Sequence, residues 1–301
     1  MDFGNDKIKV AISCTAYNHE PYIRQCLEGF VMQKTYFKFV AIVHDDASLD
    51  KTARIIREYE ARYPELIKPI YETENQYSKH DGSLGRIMNE AIIATEADYV
   101  ALCEGDDYWT DPYKLQKQVD FLDGHLEYVI CAHNAYQQFA NNTWRIFVNP
   151  AFREHNICLS EMLTKWHTPT ASLIYRRKAL EKVPSTDSFP NGDYYLMLRL
   201  LSQGKFYYDP SVMSVYRMHD DSVSAEMNRN TVRMYNDIIR LLNGVRLLYK
   251  EEEQPLFDEA IRNYEARKLD FERSTDSVKR WLYSKTYTRA LKKIVKKFFK
   301  M

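Results

Sequence analysis

Three carboxylates fall within four residues at Glu104-Gly105-Asp106-Asp107, immediately after the apolar run Tyr99-Val100-Ala101-Leu102-Cys103. That run reads as a buried strand, so the acids stand where it ends. Like charges at this spacing repel, and burying them unpaired is costly, so a cation is their natural partner. Hard oxygen ligands suit Mg²⁺ or Mn²⁺, which commonly bridge to substrate phosphates. The same residues also fit an exposed acidic turn ahead of a helix, because Asp111-Pro112 reads as an N-cap followed by an N1 proline. Another acid, Asp193 in Asn191-Gly192-Asp193, either caps the helix running through Leu200 or presents a carboxylate at a helix start facing a cleft. His219, in Tyr216-Arg217-Met218-His219, joins a strand end to a polar loop.

The elements that must position these groups follow from hydrophobic periodicity. Apolar runs predict strands at 9–14, 39–43, 66–71 and 99–103. Between them, Ile23, Leu27, Phe30 and Val31 recur at helical spacing, as do Ala53, Ile56 and Tyr59 behind a capping Asp50, and a third helix is predicted over 84–95. Strand alternating with helix argues for a parallel sheet covered on both faces, where ligands collect beyond the carboxyl ends of the strands. The polar turns at 15–18, 45–48 and 104–108 all fall at that edge. A second region, from Leu126 to about Val223, carries strand-like pieces at 128–132, 171–175 and 212–216 whose order the pattern does not give. Beyond Ser224 the chain turns to helices rich in Arg, Lys, Glu and Leu.

The first half resembles the family 2 glycosyltransferases. The resemblance rests on residues 10–18 with Thr15, Tyr17 and Asn18, on His44-Asp45-Asp46-Ala47-Ser48, on Glu104-Gly105-Asp106-Asp107-Tyr108-Trp109, and on Asp111-Pro112-Tyr113-Lys114-Leu115-Gln116. It implies an α/β fold of the GT-A type, a mostly parallel sheet flanked by helices, with a C-terminal helical extension. A glycosyltransferase domain over 1–224 would divide into a nucleotide-sugar-binding half, 1–110, and an acceptor-binding half, 111–224, leaving 225–301 as the extension. By the same resemblance Thr15, Tyr17 and Asn18 line the nucleotide pocket, Tyr17 offering a stacking face, and Asp46 accepts a hydrogen bond from a uracil ring. Asp106 sits near the ribose or the metal, Asp107 holds a Mn²⁺ or Mg²⁺ ion bridging the diphosphate, and His219 matches a position near the phosphates and is a third candidate metal ligand. Asp193 matches the late acidic motif that supplies the general base. The implied reaction moves a sugar, with inversion, from a UDP-sugar to a hydroxyl of a glycan or lipid-linked acceptor, in bacterial surface polysaccharide synthesis.

Bulk properties narrow the alternatives. Formal net charge is zero across 301 residues, which gives no electrostatic case for nucleic acid. The charge is unevenly spread, however: residues 277–301 hold nine Lys or Arg and no acid. Removing those nine from the 42 basic residues leaves 33 against 42 acidic ones, a net charge of −9 on the remainder. Five cysteines without paired spacing suggest reduced core thiols in a cytosolic protein. No apolar run approaches a membrane span, and the N-terminus lacks a signal-peptide pattern. A sugar-1-phosphate nucleotidyltransferase would carry a glycine-rich loop after the first strand, and residues 15–21 contain no glycine. A catalytically inactive homologue acting as a scaffold is disfavoured by the joint presence of Asp46, Asp106, Asp107 and Asp193. In the tail, Leu291, Ile294, Val295 and Phe298 share one helical face flanked by lysines. That face fits the inner, anionic surface of the cell membrane, or packing on the acidic body or a second subunit.

Overall fold

The computed structural model describes residues 7–148, 155–164, 168–181, 192–219 and 230–273. The first stretch alternates strand and helix: β1 (Ile8–Ala16), α1 (Ile23–Val31), β2 (Lys38–Asp45), α2 (Thr52–Arg62), β3 (Ile67–Tyr71), α3 (Ser83–Ala94) and β4 (Tyr99–Leu102). The chain continues through β5 (Tyr108–Trp109), α4 (Lys114–Gly124), β6 (Tyr128–Phe139), β7 (Trp144–Ile146), β8 (His155–Ile157), α5 (Leu159–Thr164), β9 (Ile174–Arg176), α6 (Gly192–Leu201) and β10 (Lys205–Met218). The strands form one sheet in the order β3-β2-β1-β4-β9-β6-β10-β5, with β7 on β6 and β8 on β10. Pairings among β1 to β4 are parallel. From β9 onward the pairings among the described residues are antiparallel, which is the part of the order that apolar runs alone do not give.

Burial explains the parallel half. Val10, Ala11, Ile12 and Cys14 of β1 and Val40, Ala41, Ile42 and Val43 of β2 are all buried, as expected of strands covered on both faces. Ile23, Leu27 and Phe30 of α1, Ile55, Ile56 and Tyr59 of α2, and Leu115, Val119 and Leu122 of α4 complete this core. Trp109 is buried with them, 4.9 Å from the Phe30 ring, and its indole N–H donates to the Ala171 carbonyl at 2.8 Å. Gly29 on α1 permits that packing, since a Cβ there would lie 3.0 Å from the Trp109 backbone nitrogen. Cys14, Cys26, Cys103 and Cys131 are buried free thiols, whereas Cys158 is exposed.

Two local expectations shift. Helix α4 starts at Lys114, not directly after Asp111; the Asp111 carboxylate accepts the Tyr113 N–H at 2.8 Å and closes a turn ahead of the helix. Asp50 stands one residue before the α2 N-cap, yet its carboxylate accepts both the N–H and hydroxyl of Thr52, at 2.9 and 2.5 Å.

Among the described residues, those through Arg217 form one compact unit and those from Met218 form a second. The second holds α7 (Thr231–Val245) and α8 (Gln254–Arg273). The Asn230 side chain caps α7 by accepting the Arg233 N–H. Met234, Tyr235, Ile238, Leu241, Leu242 and Val245 recur at helical spacing as its buried stripe. Arg246 pairs with Asp258 at 2.8 Å, and Tyr235 lies 6.2 Å from Tyr264, fixing α7 against α8. The basic tail lies outside the described residues.

Candidate active site

Three strand ends are stitched together by the backbone. The Asp46 N–H donates to Ala16, the Gly105 N–H to Thr15 and the Cys103 N–H to Ser13, at 2.9, 2.9 and 3.1 Å. The turns after β1, β2 and β4 therefore share one edge of the sheet. Gly105 is required by close approach: a Cβ there would lie 2.8 Å from His19 Nδ1 and 2.9 Å from the Ala16 Cβ.

At this edge one oxygen each from Glu104, Asp106 and Asp107 lies within 4.8 Å of the others. Asp107 is fully buried. Its Oδ1 accepts the Arg217 N–H at 2.8 Å, while its Oδ2 is shielded from water with no hydrogen-bond partner among the described residues. Desolvation, and then the neighbouring Asp106 charge, hold the Asp107 carboxyl well above the usual carboxylate range. Glu104 reaches the surface but is crowded by protein atoms. Desolvation and the charges of Asp106 and Asp193 push it up to about 8. A set of oxygen donors whose ionised forms are mutually destabilised, one atom of it buried and unpaired, fits a hard divalent cation.

Asp193 belongs to the same charge cluster, since its charge helps raise Glu104. It is the second residue of α6, inside the helix instead of at a cap position. One oxygen accepts the Tyr194 N–H at 2.8 Å and the other the Thr170 hydroxyl at 3.1 Å. Burial nevertheless outweighs these bonds and raises its pKa.

The nucleotide-side candidates flank this cluster. Tyr17 is exposed just past β1. Asn18 adopts a left-handed φ of 55°, which asparagine tolerates, and its amide oxygen accepts the Leu49 N–H at 2.8 Å. Thr15, near the end of β1, is half-buried opposite His44. Asp46 is 2% exposed, and its two oxygens accept the backbone N–H groups of Gln76 and Tyr77 at 2.6 and 3.0 Å. Besides any part in reading a base, it anchors the loop after β3. His219 directly follows β10, is half-buried, and belongs to the second unit.

Arg217 is the residue that sequence reasoning passed over. Beyond its N–H bond to Asp107, its guanidinium donates to the Asp106 carbonyl and to Gln25 Oε1. It also lies 4.4 Å from the Tyr108 ring centroid and 5.2 Å from that of Tyr22. A largely buried cation thus clamps the acidic turn: its guanidinium holds the Asp106 carbonyl and its backbone N–H holds Asp107 Oδ1, leaving Oδ2 to another partner. Its only signal in the sequence was its place beside His219.

The uncharacterized protein Rv1520 of Mycobacterium tuberculosis is 38% identical over 216 residues, covering 70% of this chain and 59% of the relative. The chain therefore spans less than two thirds of that relative's length. S. aureus TarS 1-349 in complex with UDP matches with a TM-score of 0.55 at 19% identity, over 88% of this chain and 82% of TarS 1-349. The mannosyltransferase PcManGT from Pyrobaculum calidifontis, in complex with GDP-Man and Mn²⁺, matches with a TM-score of 0.61 at 15% identity, over 90% and 76%. These structural likenesses show a shared GT-A-type α/β fold. The family model described as Glycosyl transferase family 2 spans residues 12–184, more than half of the chain and all three strand-end turns. On that match the chain belongs to glycosyl transferase family 2.

Proposed function

We propose that the chain transfers a sugar from a UDP-sugar to a hydroxyl of a glycan or lipid-linked acceptor, with inversion at the anomeric carbon, in bacterial surface polysaccharide synthesis. The observation that carries the reading is the buried, unpaired Oδ2 of Asp107 beside Glu104 and Asp106. Asp107 and Asp106 would hold a Mn²⁺ or Mg²⁺ ion there, Glu104 contributing charge. When bound, the ion neutralises charge developing on the departing diphosphate. TarS with UDP, and PcManGT with GDP-Man and Mn²⁺, support this class of donor and ion.

The chain's own residues supply the remaining steps. Asp193 accepts the proton of the attacking hydroxyl; its raised pKa makes it a stronger base than an ordinary aspartate, and the Thr170 hydroxyl orients it. Attack from the face opposite the leaving group inverts the anomeric carbon without a covalent intermediate. Tyr17 stacks on the base, Asp46 reads its edge, and Thr15 and Asn18 shape the pocket. Among the described residues no helix is long and apolar enough to cross a membrane. We place the protein in the cytoplasm, with the basic tail at the inner membrane face. Vesicle co-sedimentation at low salt tests that placement: the full chain pellets with anionic vesicles and a form truncated before Thr288 does not.

The central test titrates UDP- and GDP-sugars with Mn²⁺, Mg²⁺ or a chelator and follows nucleoside diphosphate release. UDP-sugar binding and turnover should require the ion and be lost in Asp107→Asn with an unchanged circular dichroism spectrum. Equal affinity with and without chelator would overturn the reading.

A further inference from the structure

We propose that the β6–β7 hairpin is a saccharide subsite for the acceptor, in which Tyr136 and Trp144 form an aromatic platform for sugar rings beyond the one that reacts. The assignment rests on the reading of the chain as a glycosyltransferase and adds the place where a long acceptor is gripped.

Position comes from strand register. Ala101 of β4 and Cys131 of β6 both pair with Ile174 of β9, and both strands run antiparallel to β9. Strands β4 and β6 therefore point the same way. The acidic turn begins three residues past Ala101 in the chain, whereas β6 continues to Phe139. Tyr136, five residues past Cys131, lies about 17 Å beyond that row, on the edge that carries the acids. The return strand is pinned as well. The Phe147 N–H donates to Ala135 at 2.8 Å, and Asn134 bonds both the N–H and carbonyl of Val148, at 3.0 and 3.1 Å. The Phe147 ring lies 5.9 Å from that of Tyr216, the residue before Arg217. The hairpin is thus joined through packed residues to the clamp on Asp106 and Asp107.

The two faces of the hairpin differ in chemistry. Tyr136 pairs with Ile146 and Gln138 with Trp144, so these four side chains share one face. On the other face Arg145 bonds Gln137 and covers the Phe139 ring at 4.9 Å, leaving that face satisfied internally. On the first face the rings of Tyr136 and Trp144 meet edge to face, with centroids 6.2 Å apart, and are 41% and 47% exposed. Gln138 Oε1, between them in the sequence pattern, is screened from water and has no hydrogen-bond partner among the described residues.

Open ring faces beside an unpaired amide suit a sugar, which presents C–H surfaces to the rings and hydroxyls to the amide. Two rings of about 150–250 Å² each fall short of the roughly 800 Å² per partner of a stable protein interface. The face carries no Lys or Arg among these four residues, so an anionic membrane has nothing to attract it.

The test is isothermal titration of the full chain, loaded with UDP and Mn²⁺, with α- and β-linked gluco-, galacto- and manno-oligosaccharides of one to six rings. At least one oligosaccharide of three or more rings should bind, and bind more tightly than its monosaccharide. Trp144→Ala and Tyr136→Ala should each weaken it about tenfold, the scale of truncating an aromatic anchor. Trp144→Phe should recover much of the affinity, and Leu126→Ala, an exposed apolar position before the other end of β6, should change nothing. Unchanged affinity in both alanine variants overturns the proposal, as does the absence of any oligosaccharide binding to the native chain at millimolar concentration. Failure to bind UDP at all would instead strike the donor assignment, and is read in a separate UDP titration.

Discussion

Replacing Lys114 by Met should remove one large pH-dependent contribution to stability. Lys114 follows the acidic turn on α4 and is fully buried. Its Nζ lies 4.1 Å from the Trp109 ring centroid and donates to Gln118 Oε1 at 2.8 Å. Burial pushes the ammonium pKa down from 10.5 to about 7. Between those values the unfolded chain holds one proton more than the folded one, so native stability rises with pH, by about 1.4 kcal/mol per unit. Stability conferred by neutral Lys114 is therefore lost as pH falls from 10.5 through 7, for a total of about 5 kcal/mol. Lys114→Met escapes that loss but leaves Gln118 Oε1 without its donor, at a cost of about 1–3 kcal/mol. The variant should thus be about 2–4 kcal/mol more stable at pH 7, with the two stability curves crossing between about pH 8.5 and 10. Urea unfolding followed by tryptophan fluorescence from pH 6.5 to 10 measures both curves, and other titrating groups cancel in their difference. A difference that stays constant from pH 7 to 9.5 would refute the reasoning.

Three substitutions probe the acidic edge. Gly105→Ala should displace the turn against His19 and Ala16, costing about 1–3 kcal/mol by urea unfolding. It should also weaken Mn²⁺-dependent UDP binding about tenfold or more; native affinity would show that the turn can absorb the methyl. Arg217→Met strips donors from Gln25 Oε1 and the Asp106 carbonyl and should cost about 3 kcal/mol. Arg217→Lys should recover little of this, because one ammonium cannot span the fork; full recovery would reduce Arg217 to a point charge. Asp193→Asn should keep UDP affinity and lose sugar transfer by about 10²-fold or more, measured as product formed on a saturating acceptor. Near-native turnover would confine Asp193 to its bonds with Thr170 and Tyr194, worth about 1 kcal/mol.

Much of the parallel half is legible from sequence because one physical rule governs it. A strand buried on both faces is a continuous apolar run, and the first polar residues after it mark the sheet edge. Runs at 39–43 and 99–103 thus locate β2 and β4 within two residues at either end, although β1 extends to Ala16 because Thr15 and Ala16 still pair with β2. The antiparallel half obeys no such rule. Strand β6 reaches Phe139 through Asn134, Gln137 and Gln138, polar residues that pair across a hairpin or lie under neighbouring elements. Polarity there reports local partners and says little about distance from the core.

The site divides along the same line. Carboxylates at strand ends are found by type and position, so Glu104, Asp106 and Asp107 stand out before any fold is known. What each carboxylate is bonded to depends on segments distant in the chain. Asp107 meets the N–H of Arg217, 110 residues later, and Asp46 meets Gln76 and Tyr77, about 30 residues later. These partners divide the acids into different duties. Each oxygen of Asp46 accepts one N–H from the loop after β3 and keeps a lone pair for a base edge, whereas Asp107 keeps one oxygen dry and wholly unclaimed. A buried oxygen without a partner raises the energy of the ionised carboxylate, and the Arg217 clamp keeps the turn from swinging it into water. Cation binding would release that penalty, so the turn is held in a form whose stability should depend on the ion more steeply than an exposed acidic loop allows.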